Sequence, residues 1–438
     1  MVKILWIDDE IEYFKSHILF LNKKGYEVET CNSGPEAINI IKKNSHDVIL
    51  IDQNMPGLSG TESIKLINKE YSSIPIIMIT QSSEDDTIED AIGLKVKDYL
   101  IKPLNPNQIL LSLTKIFRNK EIISNKTISN YQNSFQDIND KINFCDTIEE
   151  WMEVYKVLSY WELELSEVDE KEVYDILFSQ KKQANKLYAD FIEKNYEKLL
   201  SNKEFTSSIN LFKNRVIPEI SSNSPILFVL IDNLRYDQWK IIEPLVSEGY
   251  NVELDILYSS ILPTTTQYAR NSIFSGLSPI NIKKIHPNYW VSELDIDGKN
   301  KFENELLNEQ FSRLGKKIKY KYHKILNPKD GESFYNRLVN EKENDLTILV
   351  YNFVDIISHA KKDVKFIKEL ASSDKAYRDL TKSWYKNSKL HEIIKKAKEL
   401  KFKIIITSDH GTINVDKAAL ISGDKEISNN LRYKTSKQ

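Results

Sequence analysis

Val48-Ile49-Leu50-Ile51-Asp52 is a run of four apolar residues closed by a carboxylate, and the loop Gln53-Asn54-Met55-Pro56-Gly57 follows at once. Unbroken hydrophobicity, without polar alternation, suits a strand covered on both faces, the environment of a central strand in a parallel sheet. The same construction recurs on either side. Residues 3–7 run into Asp8-Asp9-Glu10, 75–79 run into Thr80, and 27–31 and 98–101 complete five short strands separated by amphipathic segments. This alternation predicts an α/β unit, a (βα)5 doubly wound parallel sheet, over residues 1–118.

In such sheets the functional groups collect beyond the carboxyl ends of the strands. Those ends carry Asp8, Asp9, Asp52 and Asn54, then Thr80, then Lys102-Pro103. Three carboxylates brought together call for a divalent cation, and hard oxygen ligands favour Mg²⁺. A lysine and a hydroxyl beside them suit the oxygens of a phosphoryl group. These residues, in this order, resemble the receiver domain of two-component response regulators, and the resemblance covers all of 1–118. It implies Asp52 as the phosphoacceptor, with Asp8, Asp9 and the Asn54 backbone carbonyl as Mg²⁺ ligands. It also implies Thr80 and Tyr99 as a switch pair, Lys102 as the phosphate-binding lysine, a sensor histidine kinase as partner, and a homodimer on phosphorylation.

Neither Gly nor Pro occurs from Asn107 to Ile217. So long a stretch without a breaker argues against turn-rich β structure. Trp151, Val154, Tyr155 and Leu158 form an i, i+3, i+4, i+7 face. Helices are expected near 107–118, 127–141, 146–164, 168–200 and 204–216, which makes 119–220 an all-helical middle domain. Trp151 and Trp161 read as its core.

From 221 onward three apolar runs again end in carboxylates: 226–231 before Asp232, 347–354 before Asp355, and 403–408 before Asp409-His410-Gly411. They are expected as central parallel strands. His359 follows Asp355 by four residues, one helical turn if that segment is helical. Mixed Asp/His ligation suits Zn²⁺ better than Mg²⁺. Between the first two strands lies ILPTTTQYARNSIFSGL, residues 261–277, a strand exit, a Pro, hydroxyls at a helix start and a helix ended by Gly276. A hydroxyl there either caps the helix or meets a phosphate.

The order Asp, Thr, Asp-x-x-x-His, Asp-His-Gly resembles the alkaline phosphatase superfamily, and IDNLRYDQW (231–239) with the threonine segment looks like its PglZ-type branch, over about 221–438. The resemblance implies two zinc ions roughly 4 Å apart flanking a hydroxyl nucleophile. One zinc falls to Asp232, Asp409, His410 and the nucleophile, the other to Asp355 and His359. Matching Thr-x-Thr followed by Ser-Gly-Leu selects Thr266 as nucleophile and metal ligand, with Thr265 next. No histidine follows His410, where the superfamily supplies another ligand, so the expectation is either a chain shorter than its relatives or a weakly held second zinc.

A receiver, a helical middle and a PglZ-type effector in this order resemble the PorX-type family of two-component response regulators. That implies a zinc phosphodiesterase acting on oligonucleotides, control of type IX secretion and gliding, and a sigma factor and a secretion-system component as partners. The alternative is a non-enzymatic regulator whose effector fold binds one of those proteins. A DNA-binding transcription factor fits less well, since no helix-turn-helix pattern appears.

Composition is consistent with this. The chain has 438 residues and a net charge of −3, which excludes a bulk basic nucleic-acid coater. The total conceals an asymmetry: residues 218–438 carry 35 basic and 29 acidic side chains, while both preceding parts are acidic. Apolar runs fall far short of the ~20 residues a membrane span needs. No basic segment leads an apolar one at the start, and Cys31 and Cys145 make neither a disulfide framework nor a Cys-based zinc site. The expectation is a cytoplasmic, soluble protein without membrane insertion. Residues 317–323 alternate charged and apolar and are expected as a half-buried strand, the second reading being a nucleic-acid strip using Tyr320 and Tyr322, while His17, His46, His286, His323 and His391 are expected to be solvated or capping.

Overall fold

The computed structural model describes residues 2–81, 96–168, 171–202, 204–220, 224–291, 298–352, 354, 373–413, 415, 417–421 and 432–435. These pack as two compact units, residues 1–133 and 134–438.

In the first unit β1 (Val2–Ile7), α1 (Lys15–Lys23), β2 (Tyr26–Cys31), α2 (Gly34–Ile41), β3 (Val48–Asp52), α3 (Gly60–Tyr71), β4 (Ile76–Thr80) and β5 (Asp98–Ile101) follow in sequence. The five strands form one parallel sheet in the order β2-β1-β3-β4-β5. Alternate residues of each central strand enter different cores: Leu5, Ile7, Ile49 and Ile51 face one side, and Ile4, Trp6, Val48 and Leu50 the other. Covering on both faces explains why these strands read as continuous apolar runs.

A single helix, α4 (Pro106–Phe144), then replaces the two helices expected at 107–118 and 127–141. With no Gly or Pro inside it, nothing in the backbone obliges it to stop. Next come α5 (Ile148–Ser166), begun by a reciprocal cap between Thr147 and Glu150, and α6 (Lys171–Ser201). Trp151 and Trp161 are buried. The helix expected at 204–216 is mostly irregular, and only Phe212–Val216 coil, as a π turn. Asn210 explains this locally: its Oδ1 accepts from Ser207 N at 2.7 Å and its Nδ2 donates to Phe205 O, fixing a non-helical loop.

The remainder is a second parallel sheet, β7-β8-β6-β9, with helices on both faces. Its elements are β6 (Ile226–Ile231), α7 (Tyr236–Val246), α8 (Thr266–Ser275), α9 (Pro279–Ile285), α10 (Glu303–Arg313), β7 (Tyr320–Ile325), α11 (Pro328–Arg337), β8 (Leu346–Tyr351), α12 (Asp374–Asn387), α13 (Lys389–Glu399) and β9 (Lys403–Thr407). β6 and β8 are fully buried. The half-buried strand expected at 317–323 is found two to three residues later as β7, at the edge of the sheet. β9, expected as a central strand, ends the described sheet instead; with one neighbour only, β6, its isoleucines stay partly exposed. Among the described residues no helix is long and apolar enough to cross a membrane.

Candidate functional site

Each sheet gathers one acidic cluster at the carboxyl ends of neighbouring strands. In the first, Asp8 follows β1 and Asp52 ends β3, and those strands are paired. Asp8, Asp9 and Asp52 offer ligand oxygens within 4.8 Å of one another, a donor set that fits a hard divalent cation. Asp8 and Asp52 are buried and Asp9 is exposed. Lys102, just past β5, reaches both buried carboxylates, 3.1 Å from Asp8 and 3.0 Å from Asp52. Burial raises the Asp52 pKa, Lys102 opposes this, Asp8 adds to it, and the net result is raised. A bound cation would relieve that like-charge crowding. Asn54 lies two residues on, its N–H directed to the Asp52 carboxylate. Thr80 is buried at the end of β4, whereas Tyr99 is 44% exposed. The backbone at Gly60 passes so close that a Cβ there would lie 2.4 Å from Asp52 O.

The second cluster is built on β6, β9 and α8. Asp232 directly follows β6, and the turn is completed by Asn233 in the left-handed region, φ 63°, which asparagine tolerates better than most residues. That turn aims Asn233 N at Asp409 Oδ1, 3.1 Å away, and Leu234 N at Ser408 Oγ, 3.0 Å away. The exits of β6 and β9 are thereby stitched together. Asp232, Asp409 and His410 come within 4.8 Å of each other, all buried. Carboxylate oxygens with an imidazole form a donor set that fits zinc.

Thr266 opens α8 and brings its Oγ1 to 3.0 Å from His410 Nε2 and 3.3 Å from Asp232 Oδ1. Thr265 is the N-cap residue; its hydroxyl is buried and makes no hydrogen bond to the cluster. Asp355 and His359 lie outside the described residues.

One member of this site escaped the sequence reading. Arg270 is fully buried and ion-pairs with Asp232, with Asp409 through Nε at 3.1 Å, and with Glu303 at 3.5 Å. Burial disfavours its charged form, but the three carboxylates outweigh that and hold its pKa well above the ordinary value. Asp409 is held in the opposite sense: burial pushes its carboxyl up, and His410, Arg270 and the Asn233 N–H bring it below normal. The available signal was spacing, since Thr266 and Arg270 stand four apart and share a helix face.

Two histidines expected to be solvated or capping instead pair with carboxylates. His46 Nε2 is 2.8 Å from Glu29 and His323 Nε2 is 3.1 Å from Glu341. In each case the tertiary fold supplies a partner distant in sequence.

Residues 4–114 match the response regulator receiver domain family, 121–200 the PorX response regulator linker domain, and 211–438, more than half of the chain, the BREX system PglZ alkaline phosphatase-like domain. The chain is a PorX-type response regulator. Curated proteins similar to this PorX-type chain include the transcriptional regulatory protein CpxR homolog of Haemophilus influenzae, 36% identical over 134 residues, 30% of this chain and 57% of that protein. The transcriptional regulatory protein ResD of Bacillus subtilis is 31% identical over 116 residues, 26% of this chain and 48% of its own length. The PorX-type chain thus spans about half the length of these relatives. Among solved structures, the chemotaxis protein CheY4 of Vibrio cholerae is 33% identical, with 27% of this chain and 99% of that chain covered at a TM-score of 0.26.

Proposed function

We propose that this PorX-type regulator is a phosphorylation-controlled, zinc-dependent phosphodiesterase acting on oligonucleotides. The observation that carries the reading is the convergence of Thr266, Asp232, Asp409 and His410 at the exits of paired strands and the start of a helix. Asp232, Asp409 and His410 would hold zinc. Zinc, when bound, supplies Lewis acidity toward a phosphoryl oxygen and lowers the pKa of a nearby hydroxyl. Thr266 then serves as the nucleophile, because its hydroxyl faces the ligands while that of Thr265 does not. The positive end of the α8 dipole, at which Thr266 stands, suits a phosphate oxygen. Asn300 Nδ2, which donates to Thr266 O at 3.2 Å, steadies that turn. The 35 basic side chains against 29 acidic in 218–438 favour a polyanionic substrate.

In the receiver, Asp52 takes up the phosphoryl group from a sensor histidine kinase, with Asp8, Asp9 and the Asn54 carbonyl holding Mg²⁺, and Lys102 binding the phosphoryl oxygens. Thr80 and Tyr99 respond, and the face bearing the exposed side chains Tyr99, Ile101 and Leu111 joins two copies. Control of type IX secretion and gliding, with a sigma factor and a secretion component as partners in the cytoplasm, rests on the family resemblance alone.

A second reading is favoured by Arg270. It already compensates the carboxylates of Asp232 and Asp409, so the fold does not require a metal, as suits a module kept for protein binding. Zinc analysis with a phosphodiester hydrolysis assay on the purified chain separates the two. Bound zinc and turnover support the enzyme; neither supports the binding module.

A further inference from the structure

The helical segment that matches the linker family touches the loops on both sides of the candidate effector site. On one side runs a buried chain of charges. Lys181 Nζ lies 2.5 Å from Glu162 Oε2, and Glu162 Oε1 lies 3.1 Å from Arg378 Nη1. Arg378 lies 3.2 Å from Asp237 Oδ2, and Arg235 grips Asp237 with two bonds, Nε to Oδ1 at 2.9 Å and Nη2 to Oδ2 at 2.6 Å. Arg235 also reaches Asp374 at 2.8 Å. It stands three residues beyond Asp232, and its Cγ is 3.4 Å from where a Cβ on Gly411, next to His410, would be. The side chains of Glu162, Asp237 and Arg378 are at most 6% exposed.

The chain balances three cations against three carboxylates. Without the charge on Glu162, Arg378 would keep one direct ion pair among the described residues, Asp237, which Arg235 also grips, with Asp374 acting at longer range. Lys181, Arg378 and Arg235 would then face only Asp237 and Asp374 in this cluster, an excess of cation in a dry setting and a costly arrangement. The strain would fall on Arg235 and the loop that carries Asp232. On the other side, the Tyr196 hydroxyl of α6 accepts a hydrogen bond from Leu262 N at 2.7 Å, four residues ahead of Thr266.

We infer that Glu162 and Tyr196 are positioning residues for the effector site, Glu162 holding the Asp232 loop through Arg378, Asp237 and Arg235, and Tyr196 holding the Thr266 loop. Calling these loops a catalytic site rests on the hydrolase reading; the contacts do not.

The test is hydrogen–deuterium exchange on the full, metal-free chain, for Glu162→Gln, Tyr196→Phe and a control, Trp151→Leu, which removes a ring packed on Tyr188 and Phe191 inside the helical segment. Glu162→Gln should speed exchange in peptides covering 232–238 by about tenfold. Tyr196→Phe should speed it by about threefold in 259–268 and leave 232–238 unchanged. Trp151→Leu should loosen 148–201 and neither loop. Should Glu162→Gln not fold, Tyr196→Phe decides. Loops that exchange at the parent rate, or three variants sharing one pattern, overturn the inference. Because no turnover is read, a chain with this pattern and no hydrolysis refutes only the hydrolase reading.

Discussion

Arg270 Nε stands 3.1 Å from Asp409 Oδ2, and neither side chain has any exposed surface. A cation is therefore built into the acidic floor of the effector site. Arg270→Met would leave Asp232, Asp409 and Glu303 without their shared counter-charge, at a cost of about 3–5 kcal/mol. Thermal unfolding should show a clear loss, partly recovered in Arg270→Lys, which restores charge without the planar fork that bridges three carboxylates. An unchanged melting temperature in Arg270→Met would contradict the compensation described.

Thr266→Ala should retain fold and zinc while turnover falls by about three orders of magnitude or more. Asp409→Ala and His410→Ala should lose zinc as well. Metal content and phosphodiester hydrolysis, measured on the same preparations, separate the two classes. Normal hydrolysis by Thr266→Ala alongside an inactive Thr265→Ala would move the nucleophile by one residue. Full activity in both would end that assignment.

Asp52 should take up a phosphoryl group from acetyl phosphate only when Mg²⁺ is present, because its buried carboxylate adjoins Asp8 and resists ionisation. Intact-mass measurement should show the adduct in the parent and none in Asp52→Ala. Adduct formation in the variant would refute the phosphoacceptor.

Light scattering should show a shift toward a dimer when a phosphoryl mimic and Mg²⁺ are added. Tyr99 and Leu111 lie exposed at 44% and 74%, and Leu111→Lys should suppress that shift. A mass unaffected by the mimic would count against this face.

Acid should weaken the second unit partly through Asp374. Burial raises its pKa, but Arg235 outweighs burial and the net pKa is lowered in the folded chain. Stability from this pair is present above the unfolded value of about 3.9 and is lost as pH falls through the lower folded value. Asp374→Asn should flatten the melting profile below about pH 4 and lower stability at neutral pH. A profile parallel to the parent's would show that the pair contributes nothing.

The receiver cluster was legible because Asp8, Asp52, Thr80 and Lys102 mark the ends of β1, β3, β4 and β5, which are neighbours in a doubly wound sheet. Asp232, Asp409 and His410 were legible as strand-end residues, and Thr266 through the resemblance of its threonine segment at a helix start. Arg270 was not, since Asp409 is 139 residues away and its burial depends on the packing of α8 against β6 and β9. Glu162 was hidden likewise, as one acidic residue in an acidic helix whose cation lies 216 residues downstream. The break expected between 118 and 127 does not occur, because no Gly or Pro interrupts the helix Pro106–Phe144.

The buried pair of Glu162 with Arg378 bears on how such chains are inherited and engineered. A PglZ segment grafted onto a new sensor at residue 211 would carry Arg378 without Glu162 and expose Leu262 N–H without Tyr196. Helices and effector would then travel as one cassette, and recombination between them would be selected against. A chimaera that exchanges the input module should be joined upstream of Ser134, where the second unit begins.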